Sequence, residues 1–323
     1  MIAAFYERSG AAHEVLRVDE IAQPEPADGE VLVRLRLSGV NPTDWKARAS
    51  REPAFPFQVP NQDGVGVIEA VGPGVDEARV GERVWVYFAA WGRQWGTAAQ
   101  WTVLPAEQAV ELPPEASDEL GASLGIPALT AHRCLFADGP VAGRTVLVAG
   151  GAGAVGHAAI ELARRGGAHV VATVSNETKA ALARAAGAHD VVDYRREDAA
   201  EAIRALAPDG VVRIVEVAPA VNLPLDLAVC APNATIATYA NNGGDEATLP
   251  VAPLMRGNTT LRFVLVYTMP PEALRQAVLE VGAALRDGAL TALPVHRYSL
   301  HDIADAHDAV ERAAVGKVVV EIP

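Results

Sequence analysis

Short apolar runs alternate with amphipathic stretches through the middle of the chain. Between Arg144 and Tyr267 the apolar runs are TVLVAG, HVVATVS, DVVDY, VRIVEVA, ATIATYA and LRFVLVY. Runs of this kind are typical of strands that are buried on both faces of a parallel sheet. Several are separated by predicted helices that end near Gly or Pro, namely GHAAIELARRGG, NETKAALARAAGA and REDAAEAIRALA. The alternation predicts right-handed crossovers in a doubly wound α/β sheet.

The two ends of the chain have a different pattern. Residues 1–122 carry short β-type runs broken by Pro and Gly, such as EVLVRLRLSGV and GERVWVYFAA, which predicts a mainly β domain. The tail contains two predicted helices, PEALRQAVLEVGAALRDG and HDIADAHDAVERAAVG, and a closing strand, KVVVEI. The simplest partner for that strand is the first domain. We therefore predict one domain from residues 1–122 and 268–323, and a nucleotide-binding domain from residues 123–267.

Composition and charge exclude several classes of function. The net charge is −13 over 323 residues, and the sequence shows no Lys and Arg cluster of the kind that nucleic-acid binding requires. No apolar run approaches the roughly 20 residues of a membrane span, and the charged start does not resemble a signal peptide. The two cysteines, Cys134 and Cys230, have no CxxC spacing. We expect a cytoplasmic protein with reduced thiols, although one disulfide between them stays open.

The strongest chemical signal is the glycine-rich segment TVLVAGGAGAVGHAAIELA. It joins an apolar strand directly to an amphipathic helix, the context in which a GxGxxG motif indicates dinucleotide binding. The amides and the dipole at the start of that helix would face a pyrophosphate. The predicted cofactor-binding residues of this turn are Gly150, Gly151, Gly153, Ala154, Val155 and Gly156. A turn that merely tolerates glycine is the alternative.

The end of the next predicted strand favours NADPH over NADH. An NAD site usually has a carboxylate there to accept from the ribose hydroxyls, whereas this chain has the neutral Ser175. Ser175, Asn176 and Lys179 could receive a 2′-phosphate, and Tyr194 could cover the adenine or reach the phosphate. Helix capping by Ser175 and Asn176 is an alternative that is compatible with phosphate binding. Glu177 lies close by and weakens the case.

The chain resembles the zeta-crystallin-like quinone oxidoreductases, a zinc-free branch of the medium-chain dehydrogenases and reductases. The resemblance rests on motifs in the expected order along nearly the whole chain: SGVNPTDWKARAS, PNQDGVGVIEAVGPGV, GERVWV, VLVAGGAGAVG, GIPALTAHRCL, DVVDYRRED and GKVVVEI. It implies a GroES-like catalytic domain formed by both chain ends, a Rossmann domain between them, and a cleft at their junction. It also implies a homodimer or larger homo-oligomer.

The same resemblance implies that zinc is absent. Zinc-containing relatives have a cysteine at the position of Asn41 and a His-Glu pair at the positions of Gln62 and Asp63. Asn41 and Gln62 are poor zinc ligands, and the four cysteines of the structural zinc lobe are missing. Without zinc, alcohol oxidation is disfavoured, and hydride transfer to a quinone or an activated enone remains. Asn61 stands where the family usually has Gly, a departure for which the sequence offers no physical reason.

A few site residues are implied by position. Asn41 matches a residue that lines the substrate side, and Thr130 matches one near the nicotinamide, so these two are the catalytic candidates. The stretch from Phe263 to Tyr267 would supply backbone groups to the carboxamide, while Ser175, Lys179 and Tyr194 match the phosphate positions. Asp44 and Lys46 belong to an NPxDxK pattern and either pair to hold the loop or serve another purpose.

An aromatic loop, WVYFAAWGRQWGTAAQW, offers candidate substrate contacts. Trp91 and Trp95 lie beside Gly92, Arg93 and Gly96, so either tryptophan could stack on a conjugated substrate or simply pack in the core. Arg93 could bind an anionic group or be solvated. His132 could donate a proton or be a surface histidine.

The sequence therefore predicts an NADPH-dependent reductase of quinones or α,β-unsaturated carbonyls. The alternative is an NADPH-binding protein with little or no catalysis, serving as a sensor or structural protein. A weaker alternative is an enoyl-thioester reductase, which would need a basic entrance that the acidic composition does not suggest.

Overall fold

The computed structural model describes residues 1–196 and 198–323. In chain order its strands are β1 (Ile2–Phe5), β2 (Arg17–Glu20), β3 (Glu30–Val40), β4 (Asp63–Val71), β5 (Arg83–Val86), β6 (Trp101–Pro105), β7 (Ala109–Glu111), β8 (Thr145–Ala149), β9 (His169–Val174), β10 (Asp190–Asp193), β11 (Val211–Glu216), β12 (Cys230–Thr238), β13 (Thr260–Phe263), β14 (Val295–Ser299) and β15 (Lys317–Glu321). Its α-helices are α1 (Ala12–Val15), α2 (Pro42–Ser50), α3 (Asp118–Gly121), α4 (Leu129–Phe136), α5 (Ala154–Arg165), α6 (Glu177–Ala185), α7 (Ala199–Leu206), α8 (Pro219–Val229), α9 (Val251–Gly257), α10 (Pro271–Arg286) and α11 (Ile303–Glu311).

The chain divides into two compact units. The terminal domain comprises Met1–Ile126 together with Ala292–Pro323, and the central domain comprises Pro127–Thr291. The chain leaves the terminal domain through a short π-helical segment at Leu124–Ala128, which contains Pro127.

A seven-stranded sheet forms the frame of the terminal domain. Its strand order is β14-β15-β3-β4-β5-β7, and β6 pairs with β3 outside that path. The closing strand β15 pairs antiparallel with β3, with Val318 opposite Val40 and Val319 opposite Gly39. This register brings Lys317, at the start of β15, next to Asn41, which follows the end of β3.

The central domain has the predicted doubly wound α/β architecture. Its six parallel strands lie in the order β10-β9-β8-β11-β12-β13, so the direction of winding reverses between β8 and β11. Each predicted apolar run forms a strand, and the predicted helices correspond to α5, α6 and α7. Glu197, which belongs to the last of those predicted helices, lies outside the described residues. Apolar residues from β8, β9, β11 and β12 pack with α7 and α8 to form the core.

The domain boundaries differ from those predicted at 122/123 and 267/268. Contacts divide the chain at 126/127 and 291/292, which assigns α10 to the central domain. The physical reason is that α10 packs against α4, where Glu280 Oε2 lies 2.7 Å from His132 Nε2. A boundary chosen at the end of the last strand misses this helix-to-helix contact.

Among the described residues, no helix has the length and apolar character needed to cross a membrane. Cys134 is buried, Cys230 is half-buried, and both are free thiols.

Candidate functional site

The glycine turn joins β8 to α5 by a close approach of backbone to backbone. Gly150 has a φ of +68°, a conformation that glycine adopts without strain. A Cβ at Gly156 would lie 2.3 Å from the carbonyl oxygen of Gly150, so no other residue fits there without a shift of the backbone. A Cβ at Gly153 would meet only Gly150 O, at 3.4 Å. In this turn, Gly150 provides the positive φ and Gly156 allows the close packing of helix against strand.

The turn adjoins the carboxyl end of β9. Gly151 donates its N–H to Thr173 O at 3.1 Å, and β10 pairs in parallel with β9 so that Asp193 lies opposite Val174. Tyr194 then donates its N–H to Val174 O, and its ring is exposed. We call Ser175, Lys179 and Tyr194 the β9 edge. The structure brings these three predicted residues together beside the glycine turn.

The β9 edge carries a hydroxyl and an ammonium group in contact. Lys179 Nζ donates to Ser175 Oγ at 3.2 Å, and Ser175 is buried. Asn176 caps α6, because its side-chain oxygen accepts from Lys179 N at 3.0 Å. Capping therefore accounts for Asn176, while the Lys179 side chain remains beside Ser175.

Glu177 is the acidic residue that weakened the phosphate interpretation. In the structure it accepts a hydrogen bond from Arg184 Nη1 at 2.6 Å. Both side chains are exposed, so the pair contributes little to stability. The Arg184 guanidinium nevertheless compensates the negative charge of Glu177 next to the β9 edge.

Two further predicted cofactor contacts occupy other parts of the central domain. Thr130 is buried near the start of α4, and Phe263 ends β13 with 77% of its side chain exposed. The backbone N–H of Val264, within the predicted stretch, already donates to Thr238 O at 2.8 Å.

Asn41 lies in a buried polar cluster of the terminal domain, which we call the Asn41 cluster: Asn41, Asp44, Asp63 and Lys317. Lys317 Nζ donates to Asn41 Oδ1 at 2.8 Å, and Asn41 Nδ2 donates to Asp63 Oδ2 at 2.8 Å. Asp63 also accepts from Ile126 N, at 2.9 and 3.1 Å to its two oxygens. Asp44 Oδ2 accepts from Asn41 N at 2.7 Å, an interaction of the capping-box type at the start of α2. All four residues are at most 4% exposed.

Burial dominates the electrostatics of this cluster. Burial raises the pKa of Asp44 to about 8, and the like charge of Asp63 contributes to that rise. Burial also raises the pKa of Asp63 to about 6, although the charge of Lys317 opposes the rise. It also lowers the pKa of Lys317, against the attraction of both carboxylates. Asp44 Oδ1 is buried with no hydrogen-bond partner among the described residues. Asp44 therefore holds a proton more readily than an ordinary carboxyl group.

We expect the protein to become less stable as the pH rises, because the folded state holds the proton of Asp44 more tightly than the unfolded state does. The folded Asp44 has a pKa near 8 and the unfolded one near 3.8, so the folded state binds more protons between these values. The free energy of unfolding then falls with rising pH by up to about 1.4 kcal/mol per unit in that window. Denaturation of the Asp44→Asn variant between pH 6 and 8 should show a shallower fall. The exposed Asp305→Asn is the matched control, and equal slopes in all three proteins would contradict the prediction.

The donor groups around Asn41 do not fit zinc. The oxygen of Asn41 that would face a metal accepts from an ammonium group, and Gln62 Oε1 accepts from Ala90 N at 3.1 Å. Asp63 is the one acidic ligand at the three positions, and its oxygens are shared by two donors. Within residues 1–196 and 198–323, no group of three or more His, Cys, Asp or Glu side chains could hold a metal ion.

The structure supplies the physical reason for Asn61. Its φ is +74°, a left-handed conformation that Gly and Asn adopt more readily than other residues. Its side chain donates to Ser38 Oγ at 2.9 Å and accepts from His307 Nε2 at 3.0 Å. Burial lowers the pKa of His307 to about 3, so the ring is neutral. Asn61 therefore meets the conformational requirement that glycine meets and adds two buried hydrogen bonds.

Some tryptophans of the aromatic loop are packed in the core, and one is partly exposed. Trp85 is fully buried, and Trp95 packs against the core with its ring 5.5 Å from that of Phe57 in an edge-on contact. Trp91 is 37% exposed, the most open of the tryptophans proposed for substrate contact. Arg93 donates to Gln108, so it is neither a freely solvated side chain nor an unpaired anion site.

His132 is buried against Glu280 rather than exposed on a helix surface. Burial lowers its pKa, against the raising effect of that carboxylate.

Comparisons with known proteins identify the family. The alcohol dehydrogenase GroES-like domain model matches residues 27–114, and the zinc-binding dehydrogenase model matches residues 154–283. The quinone oxidoreductase of Homo sapiens is 30% identical over 319 residues, which cover 95% of this chain and 94% of the relative. The chain belongs to the quinone oxidoreductase family. Within the medium-chain dehydrogenases and reductases this is the zinc-free branch, as the motifs predict.

Solved structures agree with this membership in the quinone oxidoreductase family. A mycobacterial protein in complex with NADPH superposes with a TM-score of 0.86 at 31% identity, covering 99% of this chain and all of that one. A 2-haloacrylate reductase superposes with a TM-score of 0.83 at 27% identity, covering 99% of each chain. The protein is thus an oxidoreductase of GroES-like and Rossmann domains.

Sequence reasoning missed Lys317 as a member of the Asn41 cluster. It lies 276 residues from Asn41, so no local pattern joins the two. The available signal was a lysine at the start of the otherwise apolar strand KVVV, where an unpaired charge would be strongly disfavoured.

Proposed function

We propose that the protein is an NADPH-dependent reductase that transfers a hydride to quinones or α,β-unsaturated carbonyl compounds without zinc. The observation that carries the proposal is the contact between Ser175 and Lys179 at the end of β9, where NAD sites have a carboxylate. The NADPH named for the mycobacterial neighbour and the conjugated acid implied by 2-haloacrylate support it.

Each cofactor-binding group would have a distinct task. The glycine turn would admit the pyrophosphate to the N-terminus of α5, whose amides and dipole favour an anion. Lys179 and Ser175 would receive the 2′-phosphate through charge-assisted hydrogen bonds. Tyr194, exposed beside them, would cover the adenine, and Thr130 would lie near the nicotinamide. NADPH, when bound, supplies the hydride.

The acceptor needs little acid–base help. A quinone or enone is electron-poor, so positioning and stabilisation of the oxygen that gains charge do most of the work. Asn41 is the group proposed to donate to that oxygen, and solvent supplies the proton. Trp91 is the better placed of the two proposed tryptophans to stack on a flat acceptor, because Trp95 packs in the core.

Cofactor binding and turnover together test this function. Calorimetric titration should give a much lower Kd for NADPH than for NADH. The oxidation of NADPH should then be followed with 1,4-benzoquinone and with 2-cyclohexenone, with and without 1,10-phenanthroline. Turnover that the chelator leaves unchanged supports the proposal. NADPH binding without turnover would favour the non-catalytic alternative, and loss of turnover with the chelator would contradict the zinc-free mechanism.

We also propose that the protein is a cytoplasmic homodimer that pairs through the outer edge of the central sheet. β13 is the last strand of that sheet, and an edge strand is a template for pairing with a second copy. Large apolar side chains are exposed around it, namely Val251, Met255, Phe263 and Leu265. An exposed apolar group beside an open edge is typical of a two-fold interface.

Lysine substitutions on the exposed apolar surface around β13 should make the protein monomeric. The double variant Val251→Lys/Met255→Lys places two like charges on each copy, so four like charges would have to be buried in the proposed interface. Light scattering coupled to size-exclusion chromatography should report a mass near 33.8 kDa for the variant and twice that for the parent. Val80→Lys, at an exposed valine of the terminal domain, is the control. A monomeric parent protein would refute the proposed dimer.

A further inference from the structure

The orientation of the Asn41 amide is fixed by its partners. A lysine ammonium group can only donate, so the atom of Asn41 that faces Lys317 is the oxygen. The opposite atom is the amide nitrogen, which donates to the carboxylate of Asp63. Because Asp63 also accepts from Ile126 N, the acceptor itself is held in place. One of the two N–H groups of the Asn41 amide donates to Asp63, and the second can donate to another acceptor.

Two glycines, Gly316 and Gly39, allow the backbone to place Lys317 next to Asn41. Gly316 has a φ of +111°, which turns the chain into β15. Gly39 lies in β3 opposite Val319. A Cβ there would lie within 3.2 Å of Lys317 Cε and within 2.0 Å of Ala122 O, so a glycine is required. The antiparallel register of β15 and β3 then sets Lys317 next to Asn41.

The ammonium group lies at the carbonyl end of the amide in a dry environment. Lys317 is 2% exposed, Asn41 is 2% exposed, and Asp63 is fully buried. In such surroundings hydrogen bonds in a chain polarise one another. A cation that draws electron density to Asn41 Oδ1 makes the N–H groups of the same amide stronger donors. The carboxylate of Asp63 compensates the buried ammonium group, with Asp63 Oδ2 at 4.0 Å from Lys317 Nζ.

We propose that Lys317 is a positioning residue that orients and polarises the Asn41 amide, so that the free N–H of Asn41 donates to the substrate oxygen that gains negative charge. The inference rests on the proposed function. It assigns to a buried lysine, acting through an asparagine, the electrostatic help that a metal ion would otherwise give to the carbonyl. Lys317 itself does not touch the substrate.

A double-mutant cycle on turnover tests the inference. The variants are Asn41→Ala, Lys317→Met and the two combined, assayed with NADPH and 1,4-benzoquinone. If Lys317 acts through Asn41, each single variant lowers kcat by about 10-fold or more, and the double variant is no slower than Asn41→Ala. The Kd for NADPH should stay within about twofold in all three, since the proposed cofactor residues belong to the central domain. Multiplicative losses in kcat would overturn the inference.

Two further variants separate positioning from a failure to fold. Lys317→Met leaves the buried carboxylate of Asp63 without its cation. Lys317→Met/Asp63→Asn removes that uncompensated charge and should restore folding but not kcat. Lys317→Arg keeps the cation and should recover part of kcat. Recovery of kcat by the uncharged double variant would show that Lys317 has only a structural role. Absence of turnover in the parent protein would overturn the proposed function and the inference with it, whereas normal turnover with a multiplicative cycle overturns the inference alone.

Discussion

Ser175→Asp should reverse the cofactor preference. A carboxylate at this position would lie beside Lys179 Nζ, which is 3.2 Å from the present hydroxyl oxygen, and would pair with it. The ammonium group would then be neutralised, and the new charge would repel the 2′-phosphate directly. We expect the Kd for NADPH to rise by about 100-fold, equivalent to about 2.7 kcal/mol, while the Kd for NADH stays the same or falls. Calorimetric titration of both cofactors measures the two changes.

Neutral substitutions at the β9 edge serve as controls for that result. Ser175→Ala removes the hydroxyl without adding charge, so it should raise the Kd for NADPH by only a few-fold. Lys179→Met should raise it by about 10-fold and leave NADH unaffected, because NADH has no 2′-phosphate. Equal changes for both cofactors in Ser175→Asp would mean that the variant disturbs the turn and that the phosphate does not lie at this edge.

Local patterns were sufficient to predict the central sheet. A strand buried on both faces needs a continuous apolar run, and the turn at Gly150 and Gly156 needs glycine for steric reasons, so both leave marks in adjacent residues. The end of β9 could be predicted for the same reason, since Ser175 and Lys179 are one helical turn apart. These features depend on contacts between neighbours in the sequence or on the periodicity of one element.

The pattern predicted that the closing strand pairs with the first domain, but the exact contacts between distant elements were not predictable. The predicted boundary at 267/268 differs from the division at 291/292 because α10 packs with α4 of the central domain, and the amphipathic pattern of α10 does not say which surface it covers. Lys317 was missed because the register between β3 and β15 brings it to Asn41. Asn41 was selected by resemblance, but its burial and its two charged partners come from the fold.

Asn61→Ala should strongly destabilise the terminal domain. Alanine at a φ of +74° incurs left-handed strain of about 1 kcal/mol, and His307 Nε2 and Ser38 Oγ both lose a buried partner. We expect the free energy of unfolding to fall by about 3 kcal/mol. Denaturation by urea, followed by tryptophan fluorescence, reports on this domain because all five tryptophans lie within residues 1–126.

Two variants divide that loss into its parts. Asn61→Gly has no conformational strain but still leaves His307 and Ser38 without their partner, so it should cost about 2 kcal/mol. Asn258→Ala introduces alanine at a φ of 47° on an exposed residue of the central domain. It tests strain alone, at about 1 kcal/mol, and its unfolding is followed by circular dichroism because the tryptophans all lie in the terminal domain. A glycine variant as stable as the parent would show that the hydrogen bonds to His307 and Ser38 contribute nothing and that Asn61 serves only as a substitute for glycine. A loss in Asn61→Gly as large as in Asn61→Ala would instead show that the left-handed backbone carries no strain and that the buried hydrogen bonds alone account for asparagine at this turn.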